Sequence, residues 1–233
     1  MNRMKMHWVN RLAVLGLVVG LTAGFAVAGV AQSVGGQAFG TYVNTPLASS
    51  GQSPLAVLPA VSGTDGAEAD AEGSTQNIAN ALSSDFLNSI TSGQIGPAEA
   101  GAQSTASAAS INILSGLITA DELVANVVSS ASQDGAFSSA DGSTFTNLVI
   151  AGVGSLSGDQ TVAPNTNIPL PGVGYVLLNE QIPTGDGVTS SGLTVNMIHV
   201  FEQVPILGLL GQILGYQTVG EIIVGSASSS VGP

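Results

Sequence analysis

Hydrophobic residues occur along the chain in short runs that are separated by Gly, Ser, Asp and Pro. Within several runs apolar and polar residues alternate, which is the period of a strand with one buried face. Asp-Gly pairs, which favour turns, lie between runs at 65–66, 134–135, 141–142 and 186–187. The pattern predicts an all-β protein, an antiparallel β-sandwich with long Gly/Ser/Ala-rich loops. A β-solenoid is the alternative architecture, although no fixed-period repeat supports it.

The clearest strand predictions are GQAFGTYVN (36–44), LAVL (55–58), STASAASINIL (104–114), LITADELVANVV (117–128), STFTNLVIAG (143–152), GYVLLNEQI (174–182), LTVNMIHVF (193–201) and GEIIVGSAS (220–228). Residues 47–75 around LAVL are rich in Ala, Ser, Gly and Pro, and are predicted to form a long surface connection. In 74–89 apolar residues recur every four positions after a Ser or Thr that would cap a helix, which predicts one short helix. Two short strands, IANAL and DFLNSI, are the alternative for that segment.

The first 31 residues have the pattern of a secretory signal peptide. A cationic start precedes an apolar run over 12–27, and small residues provide cleavage sites after Ala28 and Ala31. The run is shorter than the ~20 residues that a membrane-spanning helix needs. We therefore predict cleavage at one of these two sites, with a retained anchor as the alternative. What remains, residues 32–233, is predicted to be a single β-rich extracellular domain.

The charge distribution excludes several function classes. The chain has fifteen Asp or Glu residues and only three Lys or Arg residues (Arg3, Lys5 and Arg11), all within the predicted signal peptide. Nucleic acids and anionic membrane surfaces are therefore excluded as partners, since binding to either needs Lys or Arg. Schiff-base, Arg-clamp and thiol chemistry are also unavailable, because the chain has no Cys either. Stability has to come from packing and strand pairing instead of disulfides.

The same excess of carboxylates leads to a prediction about pH. Without fixed cations beside them, the carboxylates repel one another most strongly in the folded state, which raises their average pKa there. Groups with a raised folded pKa contribute stability that is full below their unfolded values, near ~4, and is lost as the pH rises. Charge alone therefore predicts that calcium-free thermal stability increases as the pH falls from about 7 towards about 4.

Five segments share their order with a known family across roughly residues 38–228. They are SAASINILSGLITADELVA (107–125), STFTNLVIAG (143–152), PNTNIPLPGVGYVLLNEQ (164–181), LTVNMIHV (193–200) and GEIIVGSAS (220–228). With PNT–LPG–LNEQ and the following VNMIHV as its most specific part, this set resembles the bacterial choice-of-anchor P family. The resemblance implies an exported, surface-associated bacterial domain of unassigned role, carried with different C-terminal sorting signals. Because the closing GSASSSVGP has no LPxTG motif, apolar tail or basic cluster, we expect free secretion or non-covalent surface attachment.

His199 is the only histidine after the predicted signal peptide. Strict alternation in LTVNMIHVF places it on one face with Leu193, Val195, Met197 and Phe201. With a Ser, an Asp or Glu180 brought near from a neighbouring strand, His199 would be a general base. The alternative is a neutral core histidine that is hydrogen-bonded to a carbonyl or hydroxyl group. Since the Gly-x-Ser-x-Gly pattern of a nucleophile elbow is absent, we predict no catalytic residue.

Four aspartates are candidate calcium ligands, because calcium prefers oxygen ligands and is abundant outside cells. Asp134 and Asp141 lie in SQDGAFSSADGS, and Asp65 and Asp70 lie in the acidic run DGAEADAEG (65–73). Neither segment has the spacing of an EF-hand loop. Asp-Gly turns explain the first pair, and a solvated loop explains the second, as the alternative to metal binding. We predict no cofactor other than this calcium.

The segment PILGLLGQILGY (205–216) is apolar and contains three glycines. It is too short to span a membrane. As a hairpin extension or short helix it would expose an apolar patch for a partner or for self-association, whereas the alternative is that it covers an open end of the core. The candidate surface residues are Ile206, Leu207, Leu209, Leu210, Ile213 and Leu214.

Two classes of function fit these observations. The first is a non-catalytic secreted or cell-surface structural or adhesion module, which assembles into homo-oligomers or contacts other extracellular components. The second is a secreted hydrolase that acts on glycans with paired carboxylates. Glycan sites usually stack sugars on aromatic rings, and aromatic residues make up only 4% of this chain. The sequence therefore favours the first class.

Overall fold

The computed structural model describes residues 33–61, 63–73 and 75–233. Strands account for 72% of the structure, and helix for 1%, the 3-10 turn at Gly63–Asp65. The predicted signal peptide over 1–31 lies outside the described residues. Within the three described ranges, no helix has the length and apolar character needed to cross a membrane.

The strands are, in chain order, β1 (Ser33–Asn44), β2 (Ser49–Val57), β3 (Ala67–Gly73), β4 (Gln76–Ile78), β5 (Leu82–Ser84), β6 (Phe86–Ile95), β7 (Glu99–Ile113), β8 (Ile118–Ser132), β9 (Gly135–Ser139), β10 (Thr144–Thr146), β11 (Val149–Ile150), β12 (Gly154–Ser155), β13 (Asp159–Gln160), β14 (Thr166–Leu170), β15 (Gly174–Gly185), β16 (Ser191–Leu207) and β17 (Ile213–Gly232). They form two antiparallel sheets. The first has six strands in the order β14-β15-β16-β17-β1-β2, and the second has eleven strands around β7 and β8. The predicted all-β, sandwich-like fold is confirmed.

The two sheets enclose an apolar core. Leu123 and Phe145 of the second sheet and Val200 and Ile222 of the first are fully buried in one cluster. Burial of each such side chain stabilises the fold by about 1.5–3 kcal/mol. The sequence places them there because alternate positions of the central strands are Val, Ile, Leu or Ala.

One part of the interface between the sheets is polar. Ser129 Oγ lies 2.7 Å from Ser229 Oγ and 2.8 Å from Ser138 Oγ, which in turn lies 2.8 Å from Ser191 Oγ. The chain of four hydroxyl groups joins β8 and β9 to β16 and β17. Because each hydroxyl both donates and accepts, buried serines satisfy one another without any charged group.

Two local predictions were wrong. The predicted helix over 74–89 is the hairpin β4–β5 followed by β6, close to the two-strand alternative. Ile78 and Leu82 are four residues apart because they pair directly across this hairpin, with Asn80 at a φ of 63° in the turn. The predicted connection over 47–75 is mostly strand: β2 extends the predicted LAVL strand back to Ser49 and forms a hairpin with β1, and β3 pairs with β6 further along the chain.

The strands of the first sheet share one break in their alternation. Met197 and Ile198 are consecutive in β16, yet both lie in the core cluster. Gly40, Asn179 and Gly225 lie at the same level as Met197 in the three paired strands, and the strand register continues unchanged on both sides. We call this level the kink row. In each of these strands the alternation of side chains changes phase at this row. Positions that strict alternation would place toward the core face away from it beyond the row, and the reverse.

The kink row corrects the predicted orientation of His199. Leu193, Val195 and Met197 face the core as predicted, but the row intervenes before His199. His199 and Phe201 therefore lie on the face turned away from the core.

Candidate functional site

The candidate site is a cluster on the outer face of the first sheet. Strand β15 supplies Glu180, β16 supplies Asn196 and His199, and β17 supplies Glu221. Glu180 pairs with Asn196 in the register, and the kink row brings His199 next to them on the same face. Because the position derives from strand register, the cluster is held by backbone pairing on both sides.

The hydrogen bonds of the cluster converge on one carboxylate. Asn196 Nδ2 donates to Glu180 Oε2 at 2.7 Å, and His199 Nδ1 lies 2.7 Å from the same oxygen. On the other side, His199 Nε2 lies 3.3 Å from Glu221 Oε2. The His199 residue is only 8% exposed. A ring with hydrogens on both nitrogens donates to both carboxylates, whereas a neutral ring donates to one.

Aromatic rings support the histidine. The ring centroids of His199 and Phe201 are 3.9 Å apart, and those of Phe201 and Tyr175 are 4.6 Å apart, with the latter two rings stacked. Phe201 follows His199 by two residues on the same strand face, and Tyr175 pairs with Phe201 across the sheet. The three rings pack on one another, which fixes the imidazole between its two carboxylates.

The electrostatics of Glu180 reflect these contacts. Its hydrogen bond with His199 is the largest cause that holds the pKa of Glu180 below the ordinary value of 4.5. Burial acts in the opposite direction, and the hydrogen bond from Asn196 adds to the lowering. The ionised form of Glu180 is therefore stabilised in the folded protein.

Two carboxylates outside the cluster have shifted pKa values. Backbone N–H groups of Ser190 and Val188, together with the Thr189 hydroxyl and N–H, lower the pKa of Asp186, and burial raises that of Glu202. At Glu180 and Asp186 the pKa therefore shifts in the direction opposite to the average that mutual repulsion predicts. Directed hydrogen bonds at 2.7–2.9 Å outweigh repulsion between distant exposed charges, which water and salt screen.

The cluster is not arranged for general-base catalysis. Glu180 lies beside His199, where sequence reasoning placed it for that role, but each ring nitrogen faces a carboxylate, so neither is directed at a nucleophile. Two cavities lie elsewhere in the described residues, with volumes of about 310 and 350 Å³. Neither has Asp, Glu or His in its lining. The hydrogen bonds and ring contacts hold the side chains of the cluster in place on the sheet.

Sequence reasoning missed Asn196 and Glu221 as members of the cluster. The signal for Asn196 was present, because Asn196-Met197-Ile198-His199 has two polar residues three positions apart around two apolar ones. That spacing indicates a break in strict alternation. Glu221 carries no such local signal, since only the pairing of β16 with β17 brings it near His199.

The four calcium candidates occupy separate places. Asp134 precedes β9 and Asp141 follows it, so the strand separates them. Asp65 ends the 3-10 turn, and Asp70 is exposed in the middle of β3, where its run was interpreted as a loop. In the part of the chain that the structure describes, no group of three or more acidic or histidine side chains is placed to hold a metal. Calcium binding stays a prediction.

The acidic run forms an edge strand. Strand β3 pairs only with β6, and its exposed positions are Glu68, Asp70 and Glu72. Carboxylates on an edge strand discourage pairing with another chain. The run therefore has a structural explanation that needs no ligand.

The apolar segment over 205–216 is a hairpin extension. Pairing of β15 with β16 ends at Glu202, and pairing of β1 with β17 ends at Glu221. Residues 203–219 continue beyond both neighbours as a two-stranded projection, which we call the apolar ribbon. All six predicted surface residues are exposed there, and so are Val204, Tyr216 and Val219. The tip residues Leu209 and Leu210 are 105% and 93% exposed, so the segment does not cover the core.

No family model, curated protein or solved structure matches the chain. The fold class therefore rests on the two sheets, and the resemblance to the choice-of-anchor P family stays a prediction.

Proposed function

We propose that the protein is a non-catalytic secreted or cell-surface structural or adhesion module, which self-associates through its apolar ribbon. The exposed ribbon is the observation that carries the proposal. A soluble protein rarely presents a contiguous apolar surface of this kind unless it mediates contact with a partner. Two-stranded hairpins are also marginally stable alone in water, so the ribbon gains stability when a partner covers it.

Two further observations support a module over an enzyme. The cluster of Glu180, Asn196, His199 and Glu221 forms hydrogen bonds among its own members, and the two described cavities have no acid or base in their linings. The resemblance to an exported bacterial family, together with the predicted signal peptide, supports a place outside the cell.

Replacement of Leu209 and Leu210 by Ser tests the proposal. We expect the mature wild-type protein to form oligomers in light scattering, with and without calcium, and the L209S/L210S variant to be monomeric. Both side chains are almost fully exposed within one copy, so circular dichroism should show an unchanged fold, and the melting temperature should fall only by the stabilisation that association adds.

The matched control replaces Val57 and Phe137, which are 53% and 61% exposed on β2 and β9. The V57S/F137S variant removes two exposed apolar side chains away from the ribbon, and we expect it to oligomerise normally. A monomeric wild-type protein at its highest soluble concentration, or equal oligomers in all three proteins, would contradict self-association through the ribbon.

A further inference from the structure

The cavity of about 350 Å³ lies where the core opens to the surface. Its lining includes Leu148, Ile150 and Leu178, which belong to the buried core cluster. Val153 and Leu156 form an exposed rim. Strands β12 and β14, the edge strands of the two sheets on this side, both contribute to the lining. The volume is at the small end of the ~300–1,000 Å³ range of ligand-sized pockets, so it suits one or two aliphatic side chains.

The lining of this cavity and the ribbon tip are both mainly apolar and both lack acidic residues. The chain has fifteen acids, yet none lies in the cavity lining or in residues 205–216. Two copies of a strongly acidic protein repel each other over most of their surfaces. Contact between an acid-free projection and an acid-free cavity therefore avoids the close approach of like charges.

Shape also connects the two features. The turn at the tip is closed by hydrogen bonds between Gly208 N–H and Gln212 O at 2.8 Å and between Gly211 N–H and Gly208 O at 2.9 Å. Leu209 and Leu210 project from this closed turn with almost their whole surface free. The ribbon thus presents two leucines on its end, and the cavity of about 350 Å³ presents a mainly apolar lining.

We infer that the ribbon tip of one copy, with Leu209 and Leu210, inserts into the Leu148–Ile150–Leu178 cavity of a second copy. The inference rests on the proposed self-association and specifies its geometry. The contact is heterologous, because each copy uses two different surfaces. A copy that is bound through one of these surfaces keeps the other one free, so association continues into an open chain unless the rotation between copies closes a ring.

A mixing experiment separates this arrangement from a symmetric one. The tip variant L209S/L210S keeps an intact cavity, and a rim variant, V153D/L156D, keeps an intact tip. We expect each variant alone to be monomeric, because loss of two buried leucines or the introduction of acid at the cavity weakens association by about 10²–10⁴-fold. An equimolar mixture should form a dimer and nothing larger, since one competent tip and one competent cavity remain. The control V57D/F137D adds the same charge elsewhere and should oligomerise like wild type.

The outcomes distinguish the inference from the proposal beneath it. A monomeric wild-type protein overturns self-association itself. If V153D/L156D is folded, as circular dichroism and melting temperature verify, and still oligomerises like wild type, the cavity is not the surface that binds the tip. Oligomers that disappear in both variants without a dimer in the mixture indicate a symmetric contact and also overturn the inference.

Discussion

Replacement of Gly225 by Ala is expected to destabilise the protein by about 3 kcal/mol, which corresponds to a fall in Tm of about 6–12 °C for a domain of this size. Gly225 is in the kink row at a φ of 67°, a conformation that costs an L-amino acid about 1 kcal/mol. A Cβ atom at this position would also overlap Cδ1 of Leu123, which is fully buried. Overpacking of a core in this way costs about 1–3 kcal/mol.

Two other glycines separate these causes. Gly116 has a φ of 92° with open space where a Cβ would lie, and Gly154 has open space without a positive φ. We expect Gly116→Ala to cost about 1 kcal/mol and Gly154→Ala to cost close to nothing. Thermal and denaturant unfolding of the three variants measures the difference. If Gly225→Ala is no more harmful than Gly116→Ala, the contact between the kink row and Leu123 is not tight.

Replacement of Glu180 by Gln is expected to lower stability by about 2 kcal/mol at neutral pH, since a half-buried carboxylate that accepts two hydrogen bonds loses its charge. The effect should depend on pH. The pKa of Glu180 is lowered in the folded state, so its stabilisation is present above about 4.5 and is lost as the pH falls through the folded value. The Tm difference between wild type and E180Q should therefore be large at neutral pH and shrink at acidic pH.

His199 faces this carboxylate and Glu221 lies on the other side of the His199 ring, so two variants accompany the test. Glu68→Gln on the exposed face of β3 removes one charge without a hydrogen-bonded partner, and its Tm should match wild type throughout. Glu221→Gln removes the more distant carboxylate, at 3.3 Å from the ring, and should cost less than E180Q. A Tm difference for E180Q that grows as the pH falls below about 4.5 would show that Glu180 is not stabilised as an anion.

Strands and turns were predictable where the local sequence contains a clear signal for them. Alternating Val, Ile and Leu residues indicated β8, β15 and β16, and all four Asp-Gly pairs have their glycine at positive φ, as turns require. These signals are local, so a single sequence contains them.

Long-range pairing was not predictable in the same way. Ala-Glu-Ala-Asp-Ala-Glu in β3 has no strongly hydrophobic face, and it becomes a strand because β6 offers a pairing edge. The hairpin β4–β5 mimics the helical spacing of four, because a short turn also brings residues four apart into contact. Sequence spacing alone does not separate the two cases.

The candidate site depends on both local sequence signals and long-range strand pairing. His199 and Glu180 were singled out as residue types, but their meeting depends on the break at Met197 and on the β15–β16 register. Glu221 joins only through β17. The apolar ribbon is the opposite case, since all six surface residues predicted from composition and position along the chain are exposed.

The kink row has a consequence for how this chain tolerates changes in length. Because four neighbouring strands change faces at one common level, an insertion of one residue between the row and a turn would reverse every side chain from there to the turn in that strand alone. The side chains of the other three strands would keep their orientation. Core residues in those strands would therefore lose their contacts with the shifted strand. We therefore expect related chains to gain or lose residues in the turns and at the ribbon tip, while the distance along each strand from Gly40, Asn179, Met197 and Gly225 to the strand ends stays constant.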